Sequence, residues 1–274
     1  MFRRSVACFV LLAALLATPR PAGAQTPDPD RAVDPGQPDF TLSALPTTMR
    51  LPKGAFGFRL THRFARPIDE GTVGDFFRDL FGFDSAARIG LELRYGVLPG
   101  TQVAIFRTND RAIQLSAQHS VLQQTPGRWI GLDAFVAVDG ADNFTEDYAT
   151  SLGAIVSHVF AKKAAIYAHP YYVWNVATGP AVEGEPDWSM TLGLGIRYRL
   201  GESKVYLVAE AAPQLGGLKD GVDHVTFGVE RRAGAHMFQF TVSNNLGTSM
   251  RQVARGGVNS GDWYVGFNLT RRFF

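Results

Sequence analysis

An all-β fold is predicted: a single up-and-down antiparallel transmembrane β-barrel of about 12 strands. Three observations lead to it. Apolar and polar side chains alternate with period two from residue 54 onward; the connections between alternating stretches are short and long in turn, with one exception at Asn109-Asp110; and aromatic residues gather at the ends of those stretches. Successive side chains on a strand point to opposite faces, so period two marks a strand with one apolar and one polar side. A meander trimmed at one end and elaborate at the other produces the alternating connections. Composition agrees, since 29 glycines and 12% aromatic residues suit turns and strands, and 46% hydrophobic against 19% charged residues excludes disorder. A formal net charge of +2 leaves no strongly basic face, so nucleic acid is not expected as a partner.

Residues 1–24 read as a signal peptide. Arg3 and Arg4 precede an apolar run over residues 6–17, too short to span a bilayer, and Ala22-Gly23-Ala24 offers the small residues at which such leaders are cut. Cleavage there removes Arg3, Arg4 and Arg20 and takes the net charge from +2 to −1. The single cysteine, Cys8, leaves with them, so neither disulfides nor thiolate metal sites are expected. Residues 25–53 are expected to be a Pro/Asp-rich flexible arm, because Thr26-Pro27-Asp28-Pro29-Asp30 and Asp34-Pro35-Gly36-Gln37-Pro38 block both helix and sheet ladder. Residues 54–274 then form one barrel domain.

Strands are expected to start near residues 55, 87, 101, 112, 129, 150, 164, 188, 203, 223, 235 and 262. The first sets Phe56, Phe58, Leu60 and Phe64 against Gly57, Arg59, Thr61 and Arg63; the second sets Ile89, Leu91, Leu93 and Tyr95 against Arg88, Gly90, Glu92 and Arg94. In the fourth, Ile113, Leu115 and Ala117 oppose Gln114, Ser116 and Gln118. The eighth alternates Met190, Leu192, Leu194, Ile196 and Tyr198 with Thr191, Gly193, Gly195, Arg197 and Arg199. The tenth carries Val225, Phe227 and Val229 on one side, and the twelfth Trp263, Val265, Phe267 and Leu269. The third, sixth and seventh alternate less cleanly. Gly193 and Gly195 are expected merely to thin the wall, and Gly216-Gly217 and Gly256-Gly257 to be flexible turns of outer loops. In the first long connection, Phe76, Phe77, Leu80 and Phe81 fall at helical spacing before Gly82. They predict a short helix that either constricts the barrel mouth or packs on its rim.

Alternation alone does not separate a membrane barrel from a soluble one, in which the apolar face points inward. Charges of both signs in mid-strand, the aromatic residues at strand ends and a final strand closing on Phe273-Phe274 favour the membrane. The apolar face then meets lipid. The candidate lumen-lining residues are Arg59, Arg63, Arg88, Glu92, Arg94, Asp133, Arg197, Arg199, Glu210 and Glu230. Arginines outnumber acids among them, so the lumen is expected to favour anions.

Several short stretches also carry a resemblance. Thr61-His62-Arg63-Phe64, Phe81-Gly82-Phe83-Asp84, Arg88-Ile89-Gly90 and Tyr95-Gly96 occur in that order, followed by residues 236–241 (HMFQFT), Ser243-Asn244-Asn245, Gly266-Phe267-Asn268 and Arg272-Phe273. From about residue 45 onward the chain resembles an uncharacterised family of bacterial outer-membrane-type β-barrels, a domain of unknown function. The resemblance implies fold and envelope location and brings no activity or catalytic residue with it.

No enzyme is expected. A lipid-facing hydrolase would need a serine and a histidine on the same outward face, and His119-Ser120 and Ser157-His158 each split across the two faces of a strand. His62, His119, His158 and His236 are scattered round the wall and read as interfacial rings rather than metal ligands. No catalytic, cofactor or metal residues are therefore assigned. The expected location is the cell outer membrane, with outer-membrane lipid, the barrel-assembly machinery and a small polar solute as partners. The expected function is a narrow pore or binding barrel for small polar or anionic solutes. The alternative is a non-conducting structural or interaction barrel whose outer loops bind partners, with an outer-membrane lipid hydrolase a distant third.

Overall fold

The computed structural model describes residues 28–68, 70, 86–178, 184–219 and 221–274. Period-two segments form the strands β1 (Phe56–Pro67), β2 (Ala87–Leu98), β3 (Thr101–Thr108), β4 (Ile113–Leu122), β5 (Gly131–Ala141), β6 (Glu146–Phe160), β7 (Ala164–Trp174), β8 (Trp188–Arg199), β9 (Val205–Ala212), β10 (Gln214–Gly217), β11 (His224–Ala233), β12 (His236–Ser243) and β13 (Tyr264–Phe273). From β1 to β9 and from β11 to β13 each strand pairs antiparallel with the next, β9 pairs with β11, and β13 pairs with β1, so the sheet closes on itself. Twelve strands make the wall. The thirteenth, β10, carries β9 onward past Pro213 along the same neighbour β8, with a register shift between Gln214 and Gly216. All twelve expected strands are present. The largest shift is β6, which starts at Glu146 rather than near 150. Gly216 and Gly217, expected in a flexible turn, belong to β10 instead.

The two faces of the wall are those of a membrane barrel. Leu91, Leu93, Ile105, Leu194, Ile196, Leu207, Phe227, Val229, Phe238 and Phe240 point outward and are exposed, while Arg59, Arg63, Glu92, Arg197, Glu210 and Glu230 point inward and are buried. A soluble barrel would show the reverse. Aromatic rings edge the apolar band: Tyr172 stacks on Trp188 at 5.4 Å, Phe56 meets Phe273 at 5.6 Å, and Trp129 packs edge-on against His158. Among the described residues no helix is long and apolar enough to cross a membrane. The short connections β2–β3, β4–β5, β6–β7, β8–β9 and β11–β12 share one end of the barrel with Ala55 and Phe274. The helix expected over Phe76, Phe77, Leu80 and Phe81 lies outside the described residues.

The arm departs from its expectation. Residues 36–52 are buried throughout, including Phe40, Leu42, Leu45 and Leu51, and they fill the lumen from the short-turn end. Within the segment, Leu42 N–H donates to the Leu45 carbonyl at 2.8 Å and Thr47 N–H to the Phe40 carbonyl at 2.8 Å, with a bridge between Thr41 and Pro46. It is a hairpin whose tip is Leu42–Leu45. Its prolines do keep it out of the wall's ladder, as expected. They do not leave it mobile, because inward side chains supply the bonds that a ladder would have made.

The opposite mouth is closed by the connection between β12 and β13. Helix α1 (Met250–Arg255) turns inward there, burying Met250, Arg251, Val253 and Ala254. A capping box starts it: Ser249 accepts from Gln252 N–H, and Gln252 Oε1 accepts from Ser249 N–H at 3.2 Å. Gly256 ends it at φ 79°, with its N–H donating to the Val253 carbonyl. Gly256 and Gly257 thus form a fixed helix stop rather than a flexible turn.

Candidate functional site

The filled lumen is the candidate site, and its chemistry starts from the hairpin's backbone. Carbonyl oxygens of the hairpin face donors of the wall: Arg272 reaches the Pro38 carbonyl at 2.6 Å, Arg197 that of Thr41 at 2.7 Å, Gln239 that of Leu42 at 3.0 Å and Gln118 that of Thr47 at 2.8 Å. Arg59 donates to the Ser43 carbonyl, and Arg63 to the Ser43 hydroxyl at 2.8 Å. At the tip the polarity reverses. The N–H groups of Ser43, Ala44 and Leu45 converge on the Glu210 carboxylate at 2.9, 2.8 and 3.2 Å, and His224 Nε2 meets its other side at 2.9 Å. At the root, Arg50 forks onto Asp133 at 2.7 and 2.6 Å and reaches Asp30 at 3.1 Å. Charge-assisted bonds of this kind are roughly twice as strong as neutral ones.

The candidate lumen-lining residues divide by role. Arg59, Arg63, Asp133, Arg197 and Glu210 hold the hairpin. Glu230 grips Arg197 at 2.7 and 2.9 Å, and Glu92 pairs with Arg94 within the wall at 2.8 Å. Arg88 lies at the long-loop rim beside Asp110 at 3.2 Å, and Arg199 bonds the β8–β9 turn; neither joins the central site. Sequence reasoning missed Gln102, Gln118, Gln239, Asn268 and Arg272, although each stands on the polar face of its strand. It missed Asp39 and Arg50 because the arm has no periodicity to place them.

Counting all buried charges changes the field. Among the described residues, seven arginines (Arg50, Arg59, Arg63, Arg94, Arg197, Arg251, Arg272) face seven carboxylates (Asp30, Asp39, Glu92, Asp133, Asp139, Glu210, Glu230). The arginine excess expected from the wall disappears because Arg88 and Arg199 stand outside the buried set, while Arg50, Arg251 and Arg272 are matched by Asp30, Asp39 and Asp139.

Gly193 and Gly195 do more than thin the wall. A Cβ on Gly193 would stand 3.1 Å from the methyls of Leu45, and one on Gly195 would overlap Leu42. The two glycines form the seat of the hairpin tip. Near the root, a cavity of about 470 Å³ opens between hairpin and wall, lined by Asp30, Gln37, Thr48, Arg50, Gln124 and Ser157 among others.

For hydrolysis the geometry is incomplete. Ser157 turns inward onto Thr48, while His158 turns outward onto the Trp129 carbonyl. Thr101 Oγ1 does meet His119 Nδ1 at 2.8 Å across β3 and β4, but Thr101 is only 5% exposed and its hydroxyl is no accessible nucleophile. Among the described residues no group of three or more His, Cys, Asp or Glu is arranged to hold a metal ion.

No curated protein matches the chain. In fold it is similar to the NanC porin in its rhombohedral crystal form, with a TM-score of 0.54 and 8% identity over 80% of this chain and 100% of that one. It is similar also to the KdgM porin, with a TM-score of 0.50 and 7% identity over 80% of this chain and 99% of that one. The family described as "Membrane bound beta barrel domain (DUF5777)" matches residues 39–273, a span that takes in most of the hairpin as well as the whole wall. The chain belongs to this family of membrane-bound β-barrels.

Proposed function

We propose that the protein is an outer-membrane barrel of a Gram-negative-type envelope, delivered by a cleavable leader, that admits small polar solutes to a lumen held shut by its own N-terminal hairpin. One observation carries this reading. The hairpin enters and leaves by the same mouth, with residues 28–35 and 53–55 both at the short-turn end, so it withdraws whole without threading the barrel. The short-turn end faces the periplasm, as in barrels of this class. Outer-membrane lipid covers the exposed apolar face, and the barrel-assembly machinery inserts the strands. Withdrawal leaves a water-filled lumen that solvates the wall's charges, so the heavy penalty for stranded buried ions is reduced.

Conductance in planar bilayers tests the reading. The full mature chain should be closed most of the time, and loosening the hairpin should open it. With Arg50, Asp30 and Asp39 withdrawn on the hairpin, six buried arginines face five carboxylates among the described residues, so the reversal potential in a salt gradient should show only a slight anion preference. A steady large conductance in the unaltered chain would refute gating. The second reading, a non-conducting interaction barrel, is favoured by the inward α1, which closes the other mouth as well; silence in every loosened variant would establish it.

A further inference from the structure

The inward face of β7 carries a row of ring side chains that the hairpin covers without satisfying. Tyr167, His169 and Tyr171 point inward in succession, about 7 Å apart along the strand, and all three are buried. Phe135 of β5 meets the His169 ring edge-on at 5.3 Å, and the Tyr171 ring lies 4.8 Å from it. The flanking strands place three glycines beside the row. Tyr167 pairs with Gly195, His169 with Gly193 and, on the other side, Tyr171 with Gly153. A Cβ at Gly153 would stand 3.0 Å from His169 Nε2. Each ring therefore has a glycine beside it on at least one side.

What covers the row is apolar: Leu42, Ala44 and Leu45 join Phe135, Tyr167 and Tyr171 in one cluster. The polar tips are left over. Neither ring nitrogen of His169 has a hydrogen-bond partner, and the Tyr167 and Tyr171 hydroxyls lie toward Arg197 and Thr191 without forming a well-aligned bond. The Ser151 hydroxyl of β6 is unpartnered too. Buried polar atoms are as a rule paired, so the row is matched to an occupant other than the hairpin. That occupant has an apolar face to lie on the rings and edge groups that both donate and accept.

We propose that Tyr167, His169 and Tyr171 form a binding strip for a neutral polyhydroxylated ring, the class of a hexose unit, uncovered when the hairpin withdraws. The proposal rests on the gated lumen above. A sugar ring offers C–H groups to the aromatic faces, and its hydroxyls donate to one ring nitrogen of neutral His169 and accept from the other and from the phenols. Neutrality follows from the surroundings, because the nearest charges keep wall partners when the hairpin has left, Arg197 with Glu230 and Glu210 with His224.

Calorimetric titration of full-length mature chain carrying Glu210→Gln, with maltotriose as the neutral probe and trigalacturonate as the charged one, tests it. Amide exchange at Ser43, Ala44 and Leu45 reports the hairpin's position in the same samples. With the hairpin displaced, maltotriose should bind about tenfold tighter than to the unaltered chain, because less of the affinity is lost to closed molecules. Adding His169→Phe or Tyr171→Phe, which keep the rings, should weaken it about fivefold. Displacement without maltotriose binding, binding indifferent to His169→Phe, or tighter binding of trigalacturonate would overturn the strip and leave the gate standing. A hairpin that stays seated in the variant at every probe concentration would overturn gate and strip together.

Discussion

Glu210 is the point at which one atom change should tell most about the hairpin. Its carboxylate takes three backbone N–H groups of the tip and the His224 ring. In Glu210→Gln one oxygen remains. In the better of the two amide orientations it keeps Ser43 and Leu45, while the new NH2 group turns toward His224 and faces the Ala44 N–H, donor against donor. One buried N–H is then unsatisfied, at about 1–3 kcal/mol, and two bonds lose their charge assistance, at about 0.5–1 kcal/mol each. Some of this is recovered by the new amide-to-His224 bond, leaving about 3 kcal/mol against the closed state, or a factor of roughly 100–200 in the closed-to-open ratio. Hydrogen exchange at Ser43, Ala44 and Leu45 measures that ratio directly, and bilayer open probability measures its consequence. Glu92→Gln is the control, because Glu92 pairs with Arg94 within the wall and makes no bond to the hairpin. Tip protection that falls by less than about threefold in Glu210→Gln, or equally in both variants, would refute the assignment of Glu210 as the latch.

Three further outcomes are expected. Leu194→Arg, on the outward face of β8 opposite Ala168 and Ala211, should destabilise the folded barrel in lipid by about 2–4 kcal/mol in a urea titration. Gly195→Ser, one residue away on the inward face, should leave the wall intact but unseat Leu42, so that tip amides exchange faster while wall amides do not; unchanged tip exchange would contradict the seating. Arg251→Ala removes bonds to the Val176 carbonyl at 3.1 Å and to Asp147 at 2.8 and 2.9 Å, and should free α1 by about 2–4 kcal/mol, read as lost protection of the Val253 amide.

The wall was legible from residues alone because one physical rule writes it twelve times over. A strand between lipid and lumen must alternate, so Leu91-Glu92-Leu93-Arg94 and Leu194-Gly195-Ile196-Arg197 announce both their conformation and their faces. The hairpin has no such rule. Its prolines show what it cannot join, and only inward side chains of β1, β3, β4, β5, β6, β8, β9, β12 and β13, brought round it by closure of the barrel, determine what it does join. His169 was passed over for a related reason. It stands on a strand that alternates poorly, and a lone histidine there acquires meaning only when Phe135, Gly153 and Gly193 are known to be its neighbours, and those come from three other strands. Gly193 and Gly195 looked like thin wall because the Leu42 and Leu45 that occupy the space lie some 150 residues earlier in the chain.

The polar bonds along the hairpin and the apolar contacts at its tip differ in how they respond to withdrawal. When the hairpin leaves, water enters, and each carbonyl bonded to Arg272, Gln239 or Gln118 exchanges one partner for another, so the net hold of such a bond is only about 0.5–1.5 kcal/mol. Water gives nothing comparable to Leu42 and Leu45, whose burial is worth about 1.5–3 kcal/mol apiece. Their partners lie on both sides: one apolar cluster contains the tip, the inward face of β7 and Met250, Val253 and Ala254 of α1. The two closures of the lumen therefore belong to one continuous apolar cluster in mid-barrel. Whatever lifts α1 from the outer mouth takes away part of what holds the tip, and the hairpin at the inner mouth is loosened without being touched.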